Sequence, residues 1–332
     1  MGVTSPYLQG AHHELWHRQM FSFIPDRDLP APEATVRASA GPAVAFAGFP
    51  SDYSLAFLLA LLDMDVRVSA IITSPGAHPA ILGNNALSRI ADHLGVPLIR
   101  AWRINDEHAR MQLAALHLEA VFMASFDQIV GRRALEIPRN GWLNVHPSLL
   151  PAYRGPEPVY WAIADGATET GITLHRAAPR FDAGPILAQA PVAIAPDDTA
   201  GTLTRRLVER GLQLLPDAVH AQLRGDPGTP PDMAKASYRG GIAHRSLHTA
   251  ESAAQALRLV RAGVPNMLAW AELGGRNRYV LEARVTHGAP SDDPWALHFP
   301  DGCLVVTATA DQCGCHHDLS DCPHRADDVA AS

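Results

Sequence analysis

The chain has 332 residues, 47% of them apolar and 18% charged, with a formal net charge of -7. That length favours two domains over one and suffices to bury a substantial core. The negative balance argues against nucleic acid or a membrane surface as a partner of the whole chain. No apolar run reaches the ~18 residues of a membrane span, and no basic segment followed by an apolar stretch opens the sequence, so no signal peptide is expected. Four cysteines, three of them between residues 313 and 322, do not make a secreted disulfide framework, which points to a reducing cytoplasm.

Residues 1–41 show no hydrophobic period, hold Pro6, Pro25, Pro30 and Pro32, and read as an arm. Within it, His13-Glu14-Leu15-Trp16-His17 matches a zinc-protease pattern but lacks an evident third ligand, and is taken as chance. His12, His13, Trp16 and His17 are expected to pack on the main domain or on a second copy of the chain. Residues 43–49 form a short apolar run that predicts a buried parallel strand. A helix is expected over 55–62, a strand over 66–73, a helix over 85–94 closed by Gly95, a helix over 107–118 and a strand over 120–124. Strands alternating with helices predict an α/β fold with right-handed βαβ units and a Rossmann-like parallel sheet. Gly48 stands alone after the first strand, so neither a dinucleotide fingerprint nor a P-loop is present.

The most informative stretch runs from Gly141 to Gln189. Asn144 and His146 are two apart, so an extended backbone delivers both to one face, with Trp142, while Leu143 and Val145 face the other way. Pro147 discourages further pairing. Asp182 follows 36 residues after His146, beside Gly184 and Pro185, which predict a turn. An amide donor, an imidazole that titrates near neutrality and an anion suit transfer of an acyl group to an amine. A buried strand with a structural histidine and a turn aspartate is the plainer reading of the same residues. Arg154 is open to pairing with an anionic substrate group or with a nearby carboxylate. His175 ends a strand over 172–174 and touches substrate only if it faces the cleft.

Beyond this stretch, residues 199–215 predict an amphipathic helix with Leu203, Leu207, Leu212 and Leu215 on one face, and Gly/Pro-rich residues 225–233 a linker. A helix over 250–262 with Thr249 as its N-cap precedes two hairpins, over 267–285 around Gly274-Gly275 and over 295–309 around Pro300-Asp301-Gly302. The expected layout is an arm (1–41), a catalytic domain (42–224), a linker (225–233), a small second domain (234–310) and a tail (311–332). Residues 234–310 hold eight Lys and Arg against six Asp and Glu, a balance of about +2 that is a weak footprint for nucleic acid. The tail packs three thiols and three imidazoles into residues 313–324. That density suffices for a structural zinc site, with Cys313, Cys315, Cys322 and His324 as its ligands. A redox pair, a clip to a second subunit and an unstructured tail stay open.

Asn144-Val145-His146, Ser148-Leu149-Leu150-Pro151, Arg154-Gly155 and Asp182-Ala183-Gly184 together resemble the signature of the folate-dependent formyltransferases, over roughly residues 42–310. Tyr153-Arg154-Gly155 and residues 170–175 are most similar to the methionyl-tRNA and sugar branches. The resemblance implies a Rossmann-like catalytic domain followed by a small open β-barrel, and 10-formyltetrahydrofolate as co-substrate. It implies catalysis by Asn144, His146 and Asp182. It also implies a pterin slot with Phe126, Gln128 and Ile129 on one wall and Ser148, Leu149, Leu150 and Pro151 on the other. Phe126-Asp127 and the Cys/His tail depart from the family. A small-molecule primary amine, such as an amino sugar or an amino acid derivative, is the expected acceptor. Methionyl-tRNA is the runner-up, and residues 74–86, without Lys or Arg, count against it. Hydrolysis of the formyl donor and, from another class, a metal-binding scaffold on a retired enzyme fold are the remaining alternatives.

Overall fold

The computed structural model describes residues 41–49, 51–74, 86–243, 245–287 and 293–311. The His13–His17 pattern and the tail candidates Cys313, Cys315, Cys322 and His324 lie outside them. In chain order the first elements are β1 (Ala43–Ala47), α1 (Asp52–Leu62), β2 (Arg67–Thr73), α2 (Ala86–Leu94), β3 (Leu98–Arg100), α3 (Glu107–Ala115), β4 (Ala120–Ala124), α4 (Arg132–Leu135) and β5 (Trp142–His146). The Ala- and Val-rich runs pair in parallel in the order β3-β2-β1-β4-β5. Both faces of these strands are covered, which is why the runs are apolar throughout rather than alternating. Leu143 and Val145 join Phe46, Phe122 and Leu58 in one core cluster. Trp142 joins Val121, Met123 and Leu113 in the cluster on the opposite face.

The connections leave β1 toward β2 on one side and return to β4 on the other, so the strand order reverses between β1 and β4. A crevice opens there beyond the carboxyl ends of the strands. α1 starts at this point. The Ser51 side chain accepts from the Ser54 amide, and the buried Ser54 hydroxyl donates to the Ala124 carbonyl at 2.6 Å, tying the helix start to the end of β4.

The expected parallel sheet is present and is extended by two antiparallel pairings. After α5 (Pro158–Ala164), β6 (Glu169–Arg176) runs antiparallel to β5, and β7 (Ile186–Ala193) runs antiparallel to β6, closing a mixed seven-stranded sheet. Apolar alternation carries no sign of strand direction. The three-residue β3 was also not anticipated, being too short to show a period. α6 (Ala200–Leu223) opens with a Thr199/Thr202 capping box and buries Leu203, Leu207 and Leu215 on the sheet, with Leu212 packed against the same cluster. It runs past the expected end at 215, because Ala218 and Val219 beyond Pro216 are also fully buried. That burial offsets the hydrogen bond a proline removes.

α7 (Ala253–Gly263) is capped by the Ser252 hydroxyl rather than Thr249, which lies in a preceding 3-10 turn. β8 (Trp270–Leu273), β9 (Arg276–Thr286), β10 (Ala296–Phe299) and β11 (Gly302–Asp311) then form a second, antiparallel sheet in the order β10-β11-β9-β8. Register shifts near Ala308 bend β11, and the sheet curls as a half-barrel around Leu247, Val260, Val280 and Leu304. Before reaching it, residues 229–240 return across the first sheet. Thr229 and Ile186 exchange backbone hydrogen bonds, and Arg154 is bridged by Ser237 and Arg239. Among the described residues no helix is long and apolar enough to cross a membrane.

Candidate active site

The two-residue spacing of Asn144 and His146 places both side chains at the carboxyl end of β5, and the antiparallel register of β6 sets His175 opposite Asn144 and Thr173 opposite His146. Asp182 reaches the same place from the β6–β7 turn. One carboxylate oxygen accepts from Asn144 Nδ2 at 3.3 Å and lies 3.7 Å from both His146 Nδ1 and His175 Nε2. The other accepts the Gly155 amide at 2.9 Å. The sequence-predicted catalytic residues are therefore gathered in one group, with His175 as a fourth member.

The hydrogen bonds fix the imidazole tautomers. His146 Nε2 sits 2.9 Å from the Tyr153 carbonyl, which can only accept, so Nε2 carries the proton and Nδ1 faces Asp182. His175 Nδ1 donates to the Arg176 carbonyl at 2.9 Å. Its Nε2 lone pair therefore accepts from Asn144 Nδ2 at 3.2 Å. Asn144 spends one amide hydrogen on His175 and directs the other at Asp182. Flipping the amide would set its oxygen against a carboxylate and a lone pair.

The chain bends sharply to build this group. Ser125, Tyr153, Glu157 and Asp182 all hold left-handed backbone conformations, sparsely populated for non-glycine residues and typical of sites that the surroundings over-determine. Gly184 is required next to Asp182, because a Cβ there would land on the Arg176 carbonyl oxygen.

Burial pushes the His175 imidazole down to about 4 from its ordinary 6.5, with His146 pushing the same way and the Asp182 charge opposing. Between these values an unfolded chain holds a proton on His175 that the native state refuses, so native stability falls as pH drops through this window and is untouched above it. By pH 4 the loss reaches on the order of 3 kcal/mol. Urea unfolding at pH 7 and pH 5 should show about 2 kcal/mol of that loss in the native chain and a smaller one in His175→Gln.

The expected folate-pocket residues divide. Gln128 spends its side chain on the neighbouring loop, accepting the Ile104 amide and donating to the Ala101 carbonyl, both at 2.7 Å. The Ser148 hydroxyl donates to the Ala152 carbonyl. Leu149 covers Gly171, and Leu150 is buried with its amide on Thr173 Oγ1. Pro151 is half-buried, Phe126 packs partly on the core, and Ile129 is 47% exposed. What these two loops offer a flat ligand is thus mainly backbone, Phe126 and Ile129. Phe181 and Tyr238, 41% and 50% exposed, with ring centroids 6.1 Å apart, stand at the rim. No short-range signal in the sequence foretold His175's register or Tyr238's return.

Residues 63–219 match the family described as formyl transferase. The chain is 36% identical over 267 residues to methionyl-tRNA formyltransferase of Acidothermus cellulolyticus, covering 78% of this chain and 81% of that one. It is 33% identical over 273 residues to that of Roseiflexus castenholzii, covering 80% and 87%. Among solved structures, the fold is similar to a sugar N-formyltransferase from Shewanella sp. FDAARGOS_354, with TM-score 0.56, 22% identity and 72% and 96% coverage. It is likewise similar to the N-formyltransferase from Helicobacter canadensis, solved with folinic acid and dTDP-3-aminofucose, with TM-score 0.59, 16% identity and 81% and 100% coverage. With relatives matched at this identity across most of their length, the chain belongs to the folate-dependent formyltransferases.

Proposed function

We propose that the chain moves the formyl group of 10-formyltetrahydrofolate to the primary amine of a small molecule. The observation that carries this reading is the convergence of Asn144, His146, His175 and Asp182 at the carboxyl end of β5. The amine nitrogen bonds to the formyl carbon, the bond from that carbon to the folate nitrogen breaks, and the proton lost by the amine goes to the departing nitrogen. Asn144 turns its long hydrogen bond from Asp182 onto the formyl oxygen as charge grows there, while His175 keeps the amide from flipping. His146, with Nε2 committed to Tyr153, uses Nδ1 to take the proton and hand it on. Asp182 attracts the ammonium form of the acceptor and stabilises the imidazolium that forms 3.7 Å away. The loops holding Phe126, Gln128 and Ile129 and Ser148 to Pro151 form the walls for the folate ring.

The acceptor reading rests on charge. The net charge of -7 and the absence of Lys and Arg from residues 74–86 suit a small amine such as an amino sugar or amino acid derivative better than a polyanion. Methionyl-tRNA is the second reading, favoured by the acceptor named for the relatives. It is also favoured by a cleft of about 230 Å³ lined by Arg110, Arg132 and Arg133, in a segment that also holds the 81% exposed Trp102. Side-by-side turnover on methionyl-tRNA and on a panel of amino acids and amino sugars decides. Faster formylation of the tRNA overturns the small-molecule reading, and formate release without any amine would indicate hydrolysis instead.

A further inference from the structure

Arg154 is held beside the catalytic group in a way that the fold alone does not explain. The residue is 7% exposed. Its backbone is fixed on both sides, its amide donating to the Ser237 carbonyl and its carbonyl accepting the Arg239 amide, each at 3.0 Å. Among the described residues its guanidinium makes one hydrogen bond, from Nη1 to the Phe181 carbonyl at 3.3 Å. Among the described residues Nε is buried without a partner and no carboxylate pairs with the group. Asp182, next to Phe181 in the chain, does not serve, because its two oxygens face Gly155, Asn144 and the two histidines. A guanidinium cannot relieve its burial by losing the proton, so a buried one without a counter-ion is held at a cost that a bound anion removes.

We propose that Arg154 anchors an anionic group, a carboxylate or a phosphate, carried by the acceptor amine. This rests on the formyl-transfer reading and narrows its substrate class. The guanidinium touches the carbonyl of the residue before Asp182, so an anion on Arg154 leaves the attached amine within a few bonds of the Asp182 carboxylate. Arg154 and Asp182 form a cation and an anion spaced to receive a molecule with the opposite pair, an ammonium and an acid group. Phe181 and Tyr238, exposed at the rim, offer aromatic surface to the remainder of that molecule. Guanidinium forks match carboxylate and phosphate oxygens in two-point contact, which a lysine cannot reproduce.

The test compares acceptors in pairs, each an anionic amine and its neutral counterpart: amino acids with their methyl esters, and nucleotide-linked amino sugars with the free amino sugars. The native chain should show kcat/KM at least about 10-fold higher for the anionic member of one pair, the pair identifying carboxylate or phosphate. Arg154→Gln should erase that ratio through KM, with 5-formyltetrahydrofolate still bound, and Arg154→Lys should restore part of it. Equal rates within both pairs in the native chain, or an Arg154→Gln variant that slows both members alike, would overturn the anchor while leaving formyl transfer standing. Formylation of no amine at all would instead remove the transfer reading, and the anchor with it. If Arg154→Gln does not fold, the native chain still decides. The preferred acceptor with its amine replaced by hydrogen should inhibit competitively against acceptor and not against folate, and absence of inhibition refutes the anchor.

Discussion

Asp182→Asn is expected to cut turnover by a factor of about 100 or more while leaving 5-formyltetrahydrofolate affinity largely intact. The substitution keeps the shape of the side chain, and an amide oxygen can still accept the Gly155 hydrogen bond made at 2.9 Å. What it removes is the charge. The other carboxylate oxygen faces the Asn144 amide and both imidazoles. An amide NH2 there sets donor against donor at Asn144 and leaves the His146 imidazolium without its counter-ion. Steady-state kinetics beside a folate titration check this. Near-native turnover would mean that another carboxylate handles the proton.

Gly184→Ala should damage the site through the backbone. The new methyl would collide with the Arg176 carbonyl oxygen, with the carbonyl carbon 2.9 Å away. Neither atom can rotate aside, because Arg176 is paired to Leu143 in the sheet and its amide donates to the Pro185 carbonyl at 2.9 Å. The turn must therefore move outward and carry Asp182 with it. Overpacking of this kind costs about 1–3 kcal/mol, and a displacement of ~1 Å at a catalytic group costs about 100-fold in rate. Urea unfolding and turnover should both register the change. Native turnover in a folded Gly184→Ala protein would show that Asp182 is not positioned by this turn.

The parts of this structure that were legible in the sequence are those set by local periodicity. The apolar runs gave the four strands around β1, β2, β4 and β5, and the spacing of Asn144 and His146 placed them on one face because a strand has a period of two. Strand direction was not legible in the strand expected over 172–174, and β7 was not anticipated, so the pairing of His175 with Asn144 followed only from the antiparallel register. The same limit applies to the loops expected to wall the folate. Gln128 and Ser148 are polar residues in the anticipated places, yet their side chains satisfy the loops that hold them, which spacing cannot reveal. Tyr238 and Ser237 reach the site because residues 237–239 fold back over Arg154, a contact more than 80 residues apart in sequence.

A crystal structure of the chain with 5-formyltetrahydrofolate, which does not transfer its formyl group readily, tests the central claim most directly. The folate ring is expected between the loops at Phe126–Ile129 and Ser148–Pro151, with the N10 position next to Asn144 Nδ2, His146 Nδ1 and the Asp182 carboxylate. Folate bound away from these three side chains, or no folate bound at saturating concentration, would contradict it.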